Sequence, residues 1–390
     1  MRILHVINGF NMGGAEALVK NYLLVMQEEG EDCKTLNFIR FHTPYEAELA
    51  EAGINIINLE DTMPTWALRS RRHGKILWYI YVFFGFRRII QKVKPDVIHT
   101  HLEVNSMVYF ALGRKPFYGV SGKKAAFIHT VHNESTEIWL NTRRPLFERI
   151  QRKLELQATK ALIQYHNLRF VALHEKMRQE LNKMFCVDNT IVINNGIDFN
   201  RFKNLKGKET VRQALRIPAD AFVIGHVGRF TEQKNHQKLF NVFEQVRKQN
   251  SNAFLLMIGK GKMVEQISIM LREKNLQECT LILSDREDIP DLMNAMDLFL
   301  FPSIFEGLGI ALIEAQIMKL PCVVSDKIPQ AAIISNMVKT VRLNDNNTIW
   351  AKAVLSVFPN EIKYDHIEEW DIHFSVHELL KLYGQELEEG

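Results

Sequence analysis

The chain has few of the features that mark a secreted, metal-binding or membrane-spanning protein. Its four cysteines, Cys33, Cys186, Cys279 and Cys322, are scattered without the short spacing of a metal site, and each lies in or beside an apolar segment. We therefore expect reduced thiols in the cytoplasm and no disulfide framework. No stretch of the sequence reaches the roughly 18 consecutive apolar residues that a transmembrane helix needs.

The chain also has little net charge of either sign. Its 49 lysine and arginine residues stand against 45 aspartate and glutamate residues, a net charge of +4 at pH 7. This excess is too small to indicate a nucleic-acid partner. The apolar segment Met1–Ile7 is too short for the core of a signal peptide and runs directly into a glycine turn. We therefore expect a protein that stays in the cytoplasm.

What the sequence does have is a repeated alternation of short apolar runs with helical patterns. Ile3–Ile7, Cys33–Ile39 and Ile54–Leu59 have the length and composition of strands, and helical stretches separate them. Such an alternation predicts a parallel sheet with helices on both faces. Leu162–Gln164 is a shorter run that we also assign to a strand.

The alternation starts again in the second half of the chain with Phe222–Phe230. A chain of 390 residues, 46% of them apolar, is long enough for two domains with separate cores. We therefore predict an α/β fold of two Rossmann-like domains that face each other across a cleft. The predicted domains are residues 1–200 and 201–362, followed by C-terminal helices over 363–390.

The most informative stretch is a strand, a glycine-bearing loop and a helix in the second half. Asp297–Phe301 reads as a buried strand, and a helix is predicted to begin near Gly309. Glu306 lies in the loop and Glu314 lies eight residues later in the helix. Because a helix N-terminus attracts anions and glycine lets the backbone approach a ligand closely, a phosphate fits there. A carboxylate would repel that phosphate, so we expect both glutamates to bind hydroxyl groups.

Two basic residues follow another strand of the same half. Arg229 and Lys234 lie five residues apart in a strand-to-helix loop, where both can point at one anion. Taken alone, the pair also fits an ordinary solvated loop. The Glu306–Glu314 unit in the same domain favours the anion site.

The first half carries a glycine loop and two pairs of histidines at predicted strand ends. Asn8–Glu16 contains Gly13 and Gly14 but lacks the G-x-G-x-x-G spacing of dinucleotide enzymes. His99 and His101 end one strand, and His129 and His132 end the next. We expect no metal there, because neither a carboxylate nor a third ligand is in register with these histidines.

These patterns together resemble one enzyme family. Glu306-x7-Glu314, between a strand ending in Phe-Pro-Ser and the downstream Leu320–Ser325, resembles the retaining GT-B glycosyltransferases of family 4, of the bacterial exopolysaccharide and capsule type. The resemblance extends through nearly the whole chain, including Asn195–Phe202, which matches the family's hinge. It also implies that the last helix crosses back onto the first domain.

The resemblance implies roles for particular residues. Catalytic roles fall on His132, Glu306, Arg229 and Lys234, with Glu306 on sugar hydroxyls, Glu314 on the ribose and His132 at the reacting edge of the sugar. The donor site also includes Gly13, Gly14, Arg286, Gly307, Leu308, Gly309 and Ile310. The acceptor site includes His101, Glu103 and Asn133. Two positions depart from the family pattern: Leu173–Glu175 replaces Val-Ser-Glu, and Ser284 stands where a glycine is usual.

The implied activity is transfer of a sugar from a nucleotide diphosphate sugar, most simply a UDP-sugar, to a hydroxyl of a saccharide or lipid-linked saccharide. No metal cofactor is expected, because Arg229, Lys234 and a helix N-terminus can stabilise the leaving diphosphate. Two other functions remain open at this point. One is epimerisation of UDP-N-acetylglucosamine, and the other is a non-catalytic subunit that binds a donor and activates another transferase.

The segment Arg69–Arg88 has a different character from the rest of the chain. Basic residues flank the apolar run Ile76–Phe86, which carries tryptophan and tyrosine. Eleven apolar residues are too few to span a bilayer, but such a segment can lie on an anionic membrane surface. The alternative is an ordinary helix buried against the sheet. A peripheral position at the inner face of the cell membrane is therefore one hypothesis.

Overall fold

The computed structural model describes residues 1–11, 13–62, 75–132 and 146–389, with no side-chain description for 75–81, 146 and 147. The chain divides into two compact units. Unit 1 comprises Met1–Asp198 with Glu368–Gly390, and unit 2 comprises Phe199–Ile367. The two parallel-sheet domains of the predicted α/β fold are therefore present.

Unit 1 is built on a parallel sheet of seven strands in the order β3-β2-β1-β4-β5-β6-β7. The strands are β1 (Arg2–Ile7), β2 (Asp32–Asn37), β3 (Asn55–Asn58), β4 (Val97–His101), β5 (Ala126–Thr130), β6 (Arg169–Ala172) and β7 (Ile191–Val192). Alternate residues of a strand face opposite sides of the sheet. Leu4 and Val6 accordingly join one apolar cluster, while Ile3 and Ile7 join another.

Helices cover both faces of this sheet. They are α1 (Gly14–Glu28), α2 (Pro44–Glu51), α3 (Lys75–Val93), α4 (Asn105–Leu112), α5 (Leu146–His166) and α6 (Glu175–Phe185). The final helix of the chain, α13 (Ile372–Glu389), also packs here and places Val376, Leu379 and Tyr383 in the cluster around α1. The end of the chain therefore belongs to the core of the first domain.

Unit 2 contains a second parallel sheet, in the order β10-β9-β8-β11-β12-β13. Its strands are β8 (Phe222–Val227), β9 (Ala253–Ile258), β10 (Thr280–Leu283), β11 (Leu298–Phe301), β12 (Cys322–Ser325) and β13 (Val338–Val341). Its helices are α7 (Lys208–Ala214), α8 (His236–Arg247), α9 (Val264–Glu273), α10 (Ile289–Asn294), α11 (Ile310–Ile317) and α12 (Asn347–Val354). An apolar cluster that includes Phe240, Phe243 and Trp350 packs against the sheet.

In each unit, the strand order reverses beside the first strand of the sheet. The reversal lies between β1 and β4 in unit 1, and between β8 and β11 in unit 2. The connections that leave two such strands run to opposite sides, which opens a crevice beyond their carboxyl ends where α/β proteins bind ligands. Most of the predicted site residues follow one of these four strands.

One predicted strand is part of a helix, and the described part of the basic apolar segment contributes to the core. Leu162–Gln164 is not a strand, because it lies inside α5, which continues to His166. The described part of Arg69–Arg88 belongs to α3, where Val82 and Phe86 are buried in the core while Phe84, Arg87 and Arg88 are exposed. Among the described residues, no helix has both the length and the apolar character to cross a membrane.

The start of β11 is held by the carboxylate of Asp297. It accepts hydrogen bonds from Lys208 Nζ (2.6 Å), Arg212 Nη2 (2.7 Å) and the Val223 backbone N–H (2.7 Å). Burial alone would raise the pKa of Asp297, but these donors outweigh it and hold the pKa below its ordinary value. The contacts join the start of β11 to β8 and α7.

We expect Asp297→Ala to lower the free energy of unfolding by about 3 kcal/mol, because it leaves the buried Arg212 guanidinium without its carboxylate. Urea titration followed by tryptophan fluorescence measures the change. Asp32→Ala is the matched control: it breaks the more exposed pairs with Arg2 and Lys34, and should cost less than about 1 kcal/mol. Equal losses in the two variants would contradict this assignment.

Candidate active site

The loop between β11 and α11 carries the central part of the candidate site in unit 2. Gly309 precedes the first residue of α11 and has φ 88°, a left-handed conformation. A side chain at that φ would be strained, so the sequence needs glycine to turn the chain from the loop into the helix. The turn directs the positive end of α11 toward the carboxyl edge of the sheet.

Glu306, in the same loop, forms an ion pair with Lys234 from the loop after β8. Lys234 Nζ donates to Glu306 Oε1 at 2.7 Å, and the two side chains are 12% and 6% exposed. The pair joins the ends of the two strands that flank the reversal of strand order. The predicted lysine and glutamate therefore lie together at the edge of the sheet.

The surroundings of Lys234 make its ammonium group a partly desolvated cation. Its ammonium group lies 4.5 Å from the centroid of the Phe301 ring. Burial lowers the pKa of Lys234, the Glu306 carboxylate opposes that effect, and the charge of Arg229 adds to the lowering. Arg229 itself is exposed. An ammonium group has three donors, so the bond to Glu306 leaves capacity for an anion.

Gln233 is a residue of this site that the sequence analysis missed. Its Nε2 donates to the Phe305 carbonyl at 3.0 Å and to Glu306 Oε2 at 3.3 Å. The backbone carbonyl of Gln233 accepts from the Ile304 N–H at 2.8 Å. Gln233 therefore ties the loop after β8 to the loop after β11. Its position beside Lys234 was the only available signal.

Glu314, in α11, has Arg201 as a neighbour. Arg201 Nη1 lies 3.7 Å from Glu314 Oε1, and the Glu314 side chain is 15% exposed. Burial raises the pKa of Glu314, and the positive charge of Arg201 only partly offsets the effect. Arg201 lies within the predicted hinge segment, and no sequence pattern indicated a binding role for it.

The remaining predicted donor residues of unit 2 lie in or beside the loop before α11, except Arg286, which lies in the loop after β10. Gly307 and Leu308 belong to the loop that carries Glu306, and Ile310 is the first residue of α11. Arg286 lies beyond β10 and makes a bidentate pair with Asp288, with Nε–Oδ1 at 2.7 Å and Nη2–Oδ2 at 2.5 Å. At the departure from the family pattern, the Ser284 hydroxyl donates to the Gly259 carbonyl at 3.1 Å.

In unit 1, the predicted histidines meet at the ends of β4 and β5. His101 Nδ1 lies 3.1 Å from His132 Nε2. His101 Nε2 lies 2.9 Å from Nδ1 of His5, a residue of β1 that the sequence analysis did not single out. Burial lowers the pKa of His5 and of His132 to about 3, so these imidazoles are neutral near pH 7.

The expectation that no third ligand accompanies His99 and His101 was wrong. One ring nitrogen from each of His5, His99 and His101 lies within 4.8 Å of the other two. The third histidine was missed because β1 and β4 are neighbours in the sheet but distant in sequence, with His5 opposite His99. His99 Nδ1 pairs with the Tyr383 hydroxyl at 2.5 Å and its Nε2 with the Thr130 hydroxyl at 2.7 Å.

The loop after β4 positions Glu103. Glu155 accepts from the backbone N–H groups of Asn105 (2.6 Å) and Ser106 (2.9 Å), which fixes the turn that follows Glu103. Arg152 Nη2 lies 3.7 Å from Glu103 Oε1. Arg152 Nη1 is buried and has no hydrogen-bond partner among the residues described. This guanidinium therefore retains donor capacity beside the predicted acceptor residue.

Glu103 also lines a largely apolar cavity of about 410 Å³. Other lining residues come from the loop after β1 and from α3, α4 and α5, among them Asn8, Phe83, Met107, Phe110 and Leu154. The cavity begins at the polar sheet edge and extends among helices.

The other predicted residues of unit 1 fall in three places. Gly13 caps α1 in an extended conformation and Gly14 is the first residue of that helix. A Cβ added to Gly13 would lie 2.4 Å from Glu16 Oε2, so the flexible Glu16 side chain would have to move. Asn133 lies outside the described residues. His174, at the other departure from the family pattern, caps α6 by accepting from the Met177 N–H at 3.1 Å.

The two parallel-sheet domains have the fold of GT-B glycosyltransferases. A similar structure is that of Anabaena Alr3699/HepE in complex with UDP, with a TM-score of 0.69 at 16% identity, covering 100% of this chain and 98% of that one. At this identity the likeness shows the fold alone.

The chain belongs to the family 4 glycosyltransferases. The family model "Glycosyltransferase Family 4" matches residues 12–201, and "Glycosyl transferases group 1" matches residues 207–370. The putative glycosyltransferase EpsF of Bacillus subtilis is 27% identical over 361 residues, 90% of this chain and 86% of the relative. The UDP-Gal:alpha-D-GlcNAc-diphosphoundecaprenol alpha-1,3-galactosyltransferase of Escherichia coli is 28% identical over 248 residues, 61% and 60% of the two chains. The protein is therefore a glycosyltransferase.

The turn into α11 leads to a prediction about stability. Gly309→Ala should lower the free energy of unfolding by about 1–2 kcal/mol, because alanine is strained in the left-handed region. Gly307→Ala is the matched control, since nothing lies within 4 Å of its added Cβ, and it should change stability by less than about 0.5 kcal/mol. Urea titration of both variants without ligand is the measurement. A Gly309→Ala protein as stable as the control would contradict the role assigned to this turn.

Proposed function

We propose that the protein transfers a sugar, with retention of anomeric configuration, from a UDP-sugar to a lipid-linked saccharide in the synthesis of a cell-surface polysaccharide. The observation that carries the donor half is the Lys234–Glu306 pair beside the N-terminus of α11. This arrangement brings a partly buried cation, a carboxylate and a helix N-terminus together where the strand order reverses between β8 and β11.

The donor diphosphate would bind at the N-terminus of α11. As the bond between the glycosyl carbon and the diphosphate breaks, negative charge grows on the leaving group and the sugar becomes cation-like. Lys234, Arg229 and the helix N-terminus would stabilise that charge as it develops. Glu306, whose charge is balanced by Lys234, would accept hydrogen bonds from sugar hydroxyls, and Glu314 would bind the ribose.

Retention would follow if the acceptor hydroxyl attacks on the face that the diphosphate leaves. The acceptor oxygen forms the new bond to the glycosyl carbon, the bond to the diphosphate oxygen breaks, and the hydroxyl proton passes to a phosphate oxygen. This sequence of events needs no protein nucleophile. The choice of UDP is supported by the UDP-bound Anabaena structure and by the name of the E. coli relative.

A donor screen tests this assignment. The protein in EDTA is incubated with UDP-, GDP- and ADP-sugars, and release of nucleoside diphosphate is measured. We expect release from a UDP-sugar, and a loss of about 100-fold or more in Lys234→Met, because a charge that stabilises the leaving group is gone. Lys248→Met, which alters an exposed lysine paired with Glu244, should keep full activity.

A double variant separates chemistry from folding. Lys234→Met leaves the buried Glu306 carboxylate unpaired, which also destabilises the protein. Lys234→Met/Glu306→Gln removes that charge, so it should recover thermal stability but remain far less active than Glu306→Gln alone, which keeps the cation. Activity of the double variant equal to that of Glu306→Gln would contradict the role of Lys234. Absence of release from every donor by the unaltered protein would favour the non-catalytic subunit.

The acceptor half of the proposal rests on the apolar cavity beside Glu103. A lipid-linked saccharide has an apolar chain, a diphosphate and a sugar hydroxyl. The cavity would take the first part of the chain, and the free donor capacity of Arg152 suits a phosphate. The E. coli relative carries an undecaprenol-linked acceptor in its name. Because such an acceptor resides in a bilayer, exposed Arg87 and Arg88 would lie toward anionic headgroups.

Replacing a lining residue of the cavity tests the lipid preference. Leu154→Gln should raise KM about tenfold for N-acetylglucosamine diphosphoundecaprenol, since apolar burial worth about 1.5 kcal/mol is lost. KM for an analogue with a methyl group in place of the lipid should not change. Ile269→Gln, at an exposed apolar position of α9, is the control. Equal KM values of the unaltered protein for both acceptors would contradict a lipid-binding cavity.

A further inference from the structure

The three histidines His5, His101 and His132 form a continuous row of ring-to-ring hydrogen bonds across β1, β4 and the end of β5. The nitrogen separations are 2.9 Å between His5 and His101 and 3.1 Å between His101 and His132. We infer that His5 and His101 are positioning residues that fix which ring nitrogen of His132 carries the proton. The inference concerns the site of the proposed function and rests on the proposed role of His132 there.

The row can exist in only two proton arrangements while all three rings are neutral, because a neutral imidazole has one N–H and one lone pair. In the first, His5 Nδ1–H donates to His101 Nε2, and His101 Nδ1–H donates to His132 Nε2. His132 then carries its proton on Nδ1. In the second, each donor becomes an acceptor and each acceptor becomes a donor. His132 then carries its proton on Nε2, and its Nδ1 has only a lone pair.

The surroundings of His5, at the opposite end of the row from His132, determine which proton arrangement is favoured. His5 is fully buried, and its Nε2 has no hydrogen-bond partner among the described residues. The second arrangement would place an N–H there, and unpaired buried N–H groups are rarer in proteins than unpaired acceptors. The first arrangement leaves only a lone pair at this position. His132 therefore presents Nδ1–H as a hydrogen-bond donor.

The packing around the row keeps it in place. The His5 and His101 rings lie edge to edge, with centroids 5.2 Å apart and planes only 7° from parallel, as a bond between in-plane ring nitrogens requires. His99 lies against both rings, but its nitrogens bond to Tyr383 and Thr130 and so do not join the row. Tyr383 comes from α13, so the last helix of the chain supports the arrangement. A metal at His5, His99 and His101 would have to displace these bonds.

Two substitutions of His5 distinguish its hydrogen bond in the histidine row from its contribution to packing. His5→Asp replaces the donor to His101 with a carboxylate oxygen, which can only accept. His5→Asn, of the same shape, can place an amide N–H near the position of Nδ1 and keep that donor. In the aspartate variant, the carboxylate requires an N–H on His101 Nε2, so the second arrangement is favoured. His132 should then move its proton toward Nε2, whereas the asparagine variant should keep it on Nδ1.

The measurement is a long-range ¹H–¹⁵N spectrum of the full chain with ¹⁵N-labelled histidine, in which the nitrogen shifts identify each tautomer. The His132 signals are assigned from His132→Gln. We expect Nδ1–H in the unaltered protein and in His5→Asn, and a shift toward Nε2–H in His5→Asp. kcat with a UDP-sugar should fall about tenfold in His5→Asp with an unchanged donor KM, as expected for one weakened hydrogen bond in the transition state.

The control is His129→Gln, which alters a buried histidine of β5 that pairs with the Thr100 hydroxyl outside the row. It should leave the His132 tautomer unchanged. An Nε2–H tautomer in the unaltered protein, retention of Nδ1–H in His5→Asp, or one equivalent of tightly bound zinc would overturn the inference. Failure to use any nucleotide sugar would instead refute the proposed function, and the spectra would still test the histidine row.

Discussion

The ion pair between Lys234 and Glu306 is the interaction on which the rest of the candidate donor site depends. Removing two charges from water is costly, and the attraction between them offsets that cost only when they are held in close geometry. Here that geometry requires β8 and β11 to be neighbours, so that the loops after the two strands meet. The same adjacency lets Gln233 bind both loops and places the N-terminus of α11 beside the pair. A parallel sheet whose order reverses between β8 and β11 is therefore a requirement of the site.

The sequence was most informative where the chemistry is local. Glu306, Gly309 and Glu314 belong to one strand, loop and helix. Their spacing alone therefore predicted a phosphate-binding unit and a helix that begins near Gly309. The partners of these residues were much harder to find. Gln233 and Arg201 meet Glu306 and Glu314 through contacts between distant parts of the chain, and no local pattern marks either of them.

The histidine row shows the same limit more strongly. His101 and His132 were singled out because each follows a predicted strand, but His5 lies within a strand of apolar residues. Its role depends on β1 lying beside β4, which the alternation of strands and helices does not determine.

The error at Leu162–Gln164 has another cause. Three apolar or neutral residues fit a buried helix as well as a strand, and only the longer periodic pattern of α5 distinguishes them.

The two units differ in the charge state of their candidate site residues, and this difference affects the proposed chemistry. Unit 2 holds cations and carboxylates in compensated pairs, which suits a site where negative charge appears during the reaction. Unit 1 holds a row of neutral histidines, because burial lowers the pKa of His5 and His132 to about 3. A group with so low a pKa is a poor general base at neutral pH, where efficient bases have pKa values nearer 7. A His132 that presents an N–H would orient the substrate and could not accept the acceptor's proton. The proposed transfer of that proton to a donor phosphate oxygen is therefore the route that these electrostatics favour.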